Sequence, residues 1–176
     1  LAGSIRDVVL HTRDGRQLPM VQIPYGDQPA GYVSEPDEVV NYVENHDNHT
    51  LFDHHVTRLP PHVSPMDRAR VQALGMATTA LSQGIAYFHA GIELLRSKSM
   101  DGNSFDSGDW FNRLDWAGHD NGFSSGLPPR EGNAELWPIV RSLLADASIK
   151  PGPAEIAYAR SALLDVLRIR SSSTLW

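Results

Sequence analysis

The chain has no cysteine among its 176 residues. That absence excludes disulfides, thiolate nucleophiles and cysteine-bound zinc. No apolar run approaches the roughly 20 residues a membrane-spanning helix needs. Basic runs are missing as well. With 21 Asp and Glu against 15 Lys and Arg, the formal charge is −6, so a polyanion such as nucleic acid is a poor electrostatic partner. Repeats and low-complexity tracts are also lacking. What is present is 41% hydrophobic and 20% charged residues, the balance of a folded globular chain and enough for one ordinary domain. The chain opens on Leu1 with no signal-peptide pattern and closes on Trp176 directly after a helical pattern. The natural protein is therefore expected to be longer, and its location is left open.

Residues 1–38 are short and turn-rich, with two apolar stretches around Asp14-Gly15 that predict a hairpin. Val39, Val40, Tyr42 and Val43 form a β-branched and aromatic run suited to a buried parallel strand. Glu44 to Pro61 read as polar and irregular, with room for one helical turn. Ser64 as cap, Pro65 in the first turn and Asp67 at the positive end of the dipole predict a helix over Ser64–Gln83, stopped by Gly84. A second buried strand is expected over Ile85–His89. Strand, loop, helix, strand make a βαβ unit with parallel strands. Residues 90–132 form a long polar loop, and its four aromatics, Phe105, Trp110, Phe111 and Trp116, argue for order. A helix follows from about Asn133 to Asp146, and another opens at Pro153 with Ile156, Ala159, Leu163 and Leu167 on one face. Arg168 and Arg170 stand at its carboxyl end.

Ligands of parallel α/β folds bind at the carboxyl ends of the strands, where this chain carries "ENHDNH". His46, Asp47 and Asn48 together offer donors and acceptors for the many hydroxyls of a sugar. A carboxylate there would favour an oxocarbenium-like transition state over the ground state. The same residues also read as a plain polar loop with a local cap. A third reading is a metal site, since His46, His49, His54, His55 and Asp53 are close in sequence, but neither HExxH nor any tight ligand spacing occurs. After the second strand, "HAGIELLRSKSMDGNSFDSGDWFNRLDW" adds Glu93, Arg96, Lys98, Asp109, Arg113 and Asp115, with Trp110 and Trp116. This suits sugar stacking and hydroxyl bracing, or equally an ordered loop tied by its own ion pairs.

"VNYVENHDNHTLFD" resembles the fourth motif of the α-amylase superfamily of glycoside hydrolases. "QGIAYFHAGIELLRSKSMDGNSFDSGDWFNRLDW" is similar to the stretch around the last barrel strand of pullulanase and limit dextrinase-type α-1,6-glucosidases, and the likeness runs from about residue 31 to residue 176. The resemblance implies an α/β fold, part of a (β/α)8 TIM barrel holding its last two βα units, a long loop and C-terminal helices. Val39–Val43 would be the seventh strand and Ile85–His89 the eighth. Residues 39–170 would be the C-terminal part of the barrel, 1–38 a hairpin and loop segment of the same domain, and 171–176 the start of the next segment. It implies Asp47 as the transition-state stabiliser, His46 bonded to the sugar at the cleavage point, and Asn48 shaping the neighbouring subsite. Asp109 and Arg113 would hold a more distant glucose, with Trp110 packed behind them and Glu93 structural.

Retaining hydrolysis needs a nucleophile and an acid with carboxyl groups about 5 Å apart. The family's nucleophile Asp and acid Glu motifs do not occur in this sequence, so the chain alone is expected to be inactive. A full barrel takes about 250 residues, and the missing part of that barrel is an expected partner, because two strands leave open sheet edges. An α-glucan is the expected ligand, nucleic acid and membrane are not expected, and no cofactor is implied. A structural calcium elsewhere in such an enzyme fits the family, but nothing in this sequence marks its site. Two other readings stay open: a non-catalytic carbohydrate-binding remnant, and another superfamily enzyme of the isoamylase or α-1,4-acting kind.

Overall fold

A computed structural model describes residues 3–175. The amino-terminal segment holds two small antiparallel pairs. β1 (Val9–His11) runs against β2 (Gln17–Pro19), with Leu10 opposite Leu18. Gly15 takes φ 81 in their connection, which fits the hairpin expected at Asp14-Gly15. β3 (Pro24–Tyr25) pairs with β4 (Gln28–Pro29) across Gly26 and Asp27.

The body begins at β5 (Val40–Asn41), which pairs in parallel with β6 (Ile85–Ala86), Val40 opposite Ile85. The expected βαβ unit is present, though both strands are shorter than the apolar runs that predicted them. Nor are they buried on both faces. Val39 is buried, and Val43 and Phe88 lean on the core. Val40, Tyr42, Ile85 and Tyr87 project the other way and are 40–51% exposed. The two tyrosine rings meet edge to face at 5.9 Å on this uncovered side. One face of the pair thus carries helices and the other is bare.

Between the strands lie two helices rather than one. α1 (Leu51–Arg58) occupies the stretch read as irregular, with Thr50 Oγ1 accepting from Asp53 N at 3.1 Å as its cap. Its hydrophobicity is hidden because it buries Asp53 beside Phe52 and Val56. α2 (Pro65–Ala80) is capped by Ser64 as its sequence predicts, but ends at Ala80 instead of Gln83. Gly84 (φ 102) turns tightly into β6, where a Cβ would meet the Pro36 carbonyl oxygen at 2.6 Å. Arg68 of α2 is 1% exposed and donates to the carbonyls of His55 and Pro60, closing the carboxyl end of α1.

After β6 the long segment is ordered by single 3-10 turns and by a short helix, α3 (Asp109–Asn112). α4 (Trp137–Ala145) starts later than expected, with Pro138 in its first turn, where a missing N–H is harmless. α5 (Pro153–Ser171) packs along α2 and turns Ile156, Ala159 and Leu163 inward. Arg170 donates to the carbonyls of Ala80, Ser82 and Gly84, so this cation serves the carboxyl end of α2 as well as that of its own helix. The core gathers these helices around Phe52, Met76, Ile92, Leu95, Met100 and Phe123. Among the described residues no helix is long and apolar enough to cross a membrane.

Candidate active site

The loop that leaves β5 is held from below. Glu44 is 5% exposed, and its carboxylate accepts from Leu51 N and from His89 Nδ1 at 3.0 Å. On the other side of that ring, Arg96 Nη1 lies 3.2 Å from His89 Nε2. A guanidinium has no acceptor, so Nε2 accepts and the ring proton sits on Nδ1. Burial lowers the pKa of Arg96, with Glu44 and Asp53 opposing that shift. A second buried group stands beside it. Asp53, fully buried, accepts from Ser97 Oγ at 2.5 Å and from Lys98 N at 2.9 Å. Burial raises its pKa, and these donors pull against the rise.

On this base the tip of the loop stands in solvent. His46 and Asp47 have side chains 78% and 71% exposed, with His46 Nε2 3.6 Å from Asp47 Oδ2. Asp47 N donates to Asn45 Oδ1 at 2.8 Å. Asn48 takes φ 60, a left-handed conformation that asparagine tolerates better than most residues. The three side chains line one wall of a cleft of about 300 Å³.

Gly102, Asn103, Ser104, Phe105 and Asn112 complete the lining. It is built on polar contacts of its own. Asp101 Oδ1 accepts from Asn103 N and from Asn133 Nδ2, while Asn133 Oδ1 accepts from Gly102 N. Ser104 Oγ donates to Asn112 Oδ1, and Asn112 Nδ2 returns a bond to the Ser104 carbonyl at 2.7 Å. Phe105 presents its ring, 87% exposed. The cleft therefore offers a carboxylate, an imidazole and amides together with an aromatic side chain, a combination suited to a ring that carries hydroxyls.

Asp109, Trp110 and Arg113 lie outside this lining. Arg113 N donates to the Asp109 carbonyl at 2.8 Å, but its guanidinium lies 3.9 Å from Asp120. Among the described residues the Asp109 and Arg113 side chains form no ion pair with each other. Trp110 is 74% exposed. Sequence reading missed the contribution of Glu44, Asp53 and Asn112, whose charge or polarity gave no sign of burial or of a place in the wall. Phe105 stood out only as one aromatic among four. No three His, Asp or Glu side chains among the described residues converge to hold a metal ion.

A polar cleft at the carboxyl end of a parallel strand, over helices packed on one face, stands where α/β folds present their ligand sites. Comparison with known proteins makes this specific. Residues 118–176 match the family described as alpha-1,6-glucosidases, pullulanase-type, C-terminal. The whole chain is 42% identical to pullulanase 1, chloroplastic, of Arabidopsis thaliana, and covers 18% of it. It is 39% identical to the pullulanase of Klebsiella aerogenes over its full length, which is 16% of that protein. The crystal structure of apo pullulanase from Klebsiella pneumoniae superposes on 97% of the chain with TM-score 0.92 and 38% identity, using 18% of that chain. A maltotriose complex of the Klebsiella pneumoniae enzyme matches equally well, at TM-score 0.92 over 97% of this chain and 16% of its own. The chain belongs to the pullulanase family, and spans less than a fifth of the length of these relatives.

Proposed function

We propose that this chain forms part of a starch-debranching glycoside hydrolase that cleaves α-1,6-glucosidic bonds with retention of configuration. The observation that carries the reading is the cleft: Asp47 and His46 are exposed, stand on a loop rooted in buried polar residues, and line the same cleft as Phe105. In this reading β5 and β6 are the seventh and eighth strands of a (β/α)8 barrel. The bare face bearing Val40, Tyr42, Ile85 and Tyr87 supports that placement. Strands of a closed barrel have one face toward the helices and one toward the barrel interior, which neighbouring strands fill. Residues 39–170 would then be barrel, 1–38 a flanking hairpin and loop segment of the same domain, and 171–176 the start of the next segment.

Asp47 is the transition-state stabiliser. As the glycosidic bond breaks, positive charge spreads over the ring oxygen and the anomeric carbon, and a carboxylate beside them gains attraction that it lacks in the ground state. His46 donates to a hydroxyl of the same sugar. Asn48 shapes the adjoining subsite, and Asp109, Arg113 and Trp110 hold glucose farther along the chain. The attacking Asp and the proton-donating Glu come from motifs that this sequence does not contain. The isolated chain is accordingly inactive, because a catalytic unit stripped of two members loses turnover almost entirely.

The test is hydrolysis of pullulan by the intact protein, followed by reducing-end release and by the anomeric configuration of the first product. Scission of α-1,6 bonds with retention is expected, and none by the 176-residue chain alone. Cleavage confined to α-1,4 bonds would favour another enzyme of the superfamily. Saturable maltotriose binding without any hydrolysis would favour a carbohydrate-binding role.

A further inference from the structure

Beneath the exposed cleft lies a lysine that the proposed chemistry does not use. Lys98 is 1% exposed. Burial lowers its pKa, helped by the neighbouring Arg96 and opposed by Asp53, Asp101 and Glu44. A buried ammonium is expensive to keep, so its direction is informative. Nζ donates not to a carboxylate but to the carbonyl of His46, at 3.1 Å and 52 residues away in sequence. Among the described residues no carboxylate lies within ion-pair distance of it. A lysine kept only to neutralise Asp53 or Glu44 would be expected to touch one of them. Both Asp53 oxygens are instead satisfied by Ser97 Oγ and by the Lys98 backbone N–H.

The bonded carbonyl belongs to the peptide unit that joins His46 to Asp47. The other polar end of that unit, Asp47 N–H, donates to Asn45 Oδ1. Both ends of one peptide plane are therefore tied, which fixes the N–Cα bond of Asp47 from which its side chain is carried. The anchor is itself referenced to the core. Leu95 and Met100 flank the Arg96–Ser99 stretch and are each 0% exposed, and Asp53 joins Ser97 and Lys98 to the first turn of α1.

We infer that Lys98 is a positioning residue for the reaction: through the His46 carbonyl it sets where the Asp47 carboxylate meets the sugar. The inference rests on the role proposed for Asp47. Displacing a reacting group by about an ångström reduces rate by about 10²-fold, and an interaction felt only in the transition state appears in kcat rather than KM.

The test uses the intact protein on pullulan. Lys98→Met is expected to lower kcat about 100-fold with KM within about threefold of wild type. The ratio of two affinities separates positioning from general damage. Binding of a cationic imino-sugar, which mimics the developing charge, should weaken about tenfold or more, while binding of neutral maltotriose stays within about threefold. Should Lys98→Met not fold, Lys98→Gln serves, since its amide stops one bond short of the ammonium and should lose about tenfold in kcat. A folded variant that keeps kcat within about threefold, or that loses both ligands equally, overturns the inference. Asp47→Asn in parallel distinguishes the two failures. Near-normal turnover there removes the role of Asp47 and the inference with it, whereas a dead Asp47→Asn beside a healthy Lys98→Met removes Lys98 alone.

Discussion

Two loops of this molecule carry its candidate sugar contacts, and they are built in opposite ways. The Glu44–Thr50 loop is exposed only at its tip. Its root is a buried carboxylate bonded to His89 and Leu51, and its middle is tied to a buried lysine. The Gly108–Asp120 loop has one tie to that base, from Arg96 Nη2 to the Asn112 carbonyl at 3.0 Å, but no buried carboxylate of its own. Asp109, Trp110 and Arg113 are exposed, and the loop is shaped largely by Asp115, whose carboxylate accepts from the backbone of Ala117, His119 and Asp120. On the proposed function the difference follows from what each loop would meet. Charge on a breaking bond appears at one point and only briefly, so its counter-charge has to be in place beforehand. Hydroxyls of a bound sugar persist and can be met by side chains that adjust.

The sharpest way to break that comparison is Asp47→Asn in the intact protein. The exchange removes charge but little volume from a side chain 71% exposed, so folding should be unaffected. On the stabiliser reading kcat falls about 10³-fold or more, as when a preorganised electrostatic contact is lost. Turnover near wild type would show that the rooted loop serves something other than the reaction.

Glu44→Ala attacks the root instead of the tip. It leaves Leu51 N and His89 Nδ1 without an acceptor and takes a counter-charge from Arg96. Removing one member of a buried, hydrogen-bonded charge network destabilises by about 3 kcal/mol, read in denaturant unfolding, and kcat should fall with it. The same kind of change in the second loop, Asp109→Ala with Arg113→Ala, should leave stability within about 0.5 kcal/mol, since both side chains are exposed. Maltotriose affinity should weaken about three- to tenfold, with the rate of the saturated enzyme near normal. A large loss of kcat from the double change would mean that the second loop takes part in bond cleavage as fully as the first.

The sequence made some of this legible and concealed the rest for definite physical reasons. Ser64-Pro65, Pro153 and Asp14-Gly15 act through local backbone preference, so a start of helix or a turn could be read from a few residues. The crowded tip at His46–Asn48 was visible because its groups are polar where a strand has just ended. Its root was not. Glu44, Asp53, Arg68 and Lys98 are all nearly inaccessible, and charged residues are read as surface because they are seldom buried without partners. Here the partners lie up to 52 residues away, beyond the reach of any local pattern. α1 was missed for the same reason, its inward face being partly Asp53. The two strands were read as buried because a β-branched run carries no sign of which face this chain itself covers.

A further expected effect, confined to acid pH, concerns the helix on which the rooted loop is mounted. His55, in α1, has a buried Nδ1 with no hydrogen-bond partner. Burial, then His54 and Arg68, pull its pKa down to about 4 from 6.5. Between those values the unfolded chain binds a proton that the folded chain refuses. Stability contributed by the neutral ring is thus complete above about pH 6.5 and declines as pH falls toward 4, by about 2 kcal/mol at most once partial exposure is allowed for. Asp53, whose pKa is raised by burial, acts with the opposite sign, because its protonation favours the fold as pH falls. The two are separated by His55→Gln, which should flatten the acid side of the stability profile and leave the contribution of Asp53. Hydrogen exchange of α1 amides, corrected for intrinsic rates, should lose protection from about pH 6.5 to about pH 4 in the wild type and much less in the variant. An equal loss in both would place the acid-sensitive point elsewhere than His55, and would leave the mounting of the Asp47 loop indifferent to that proton.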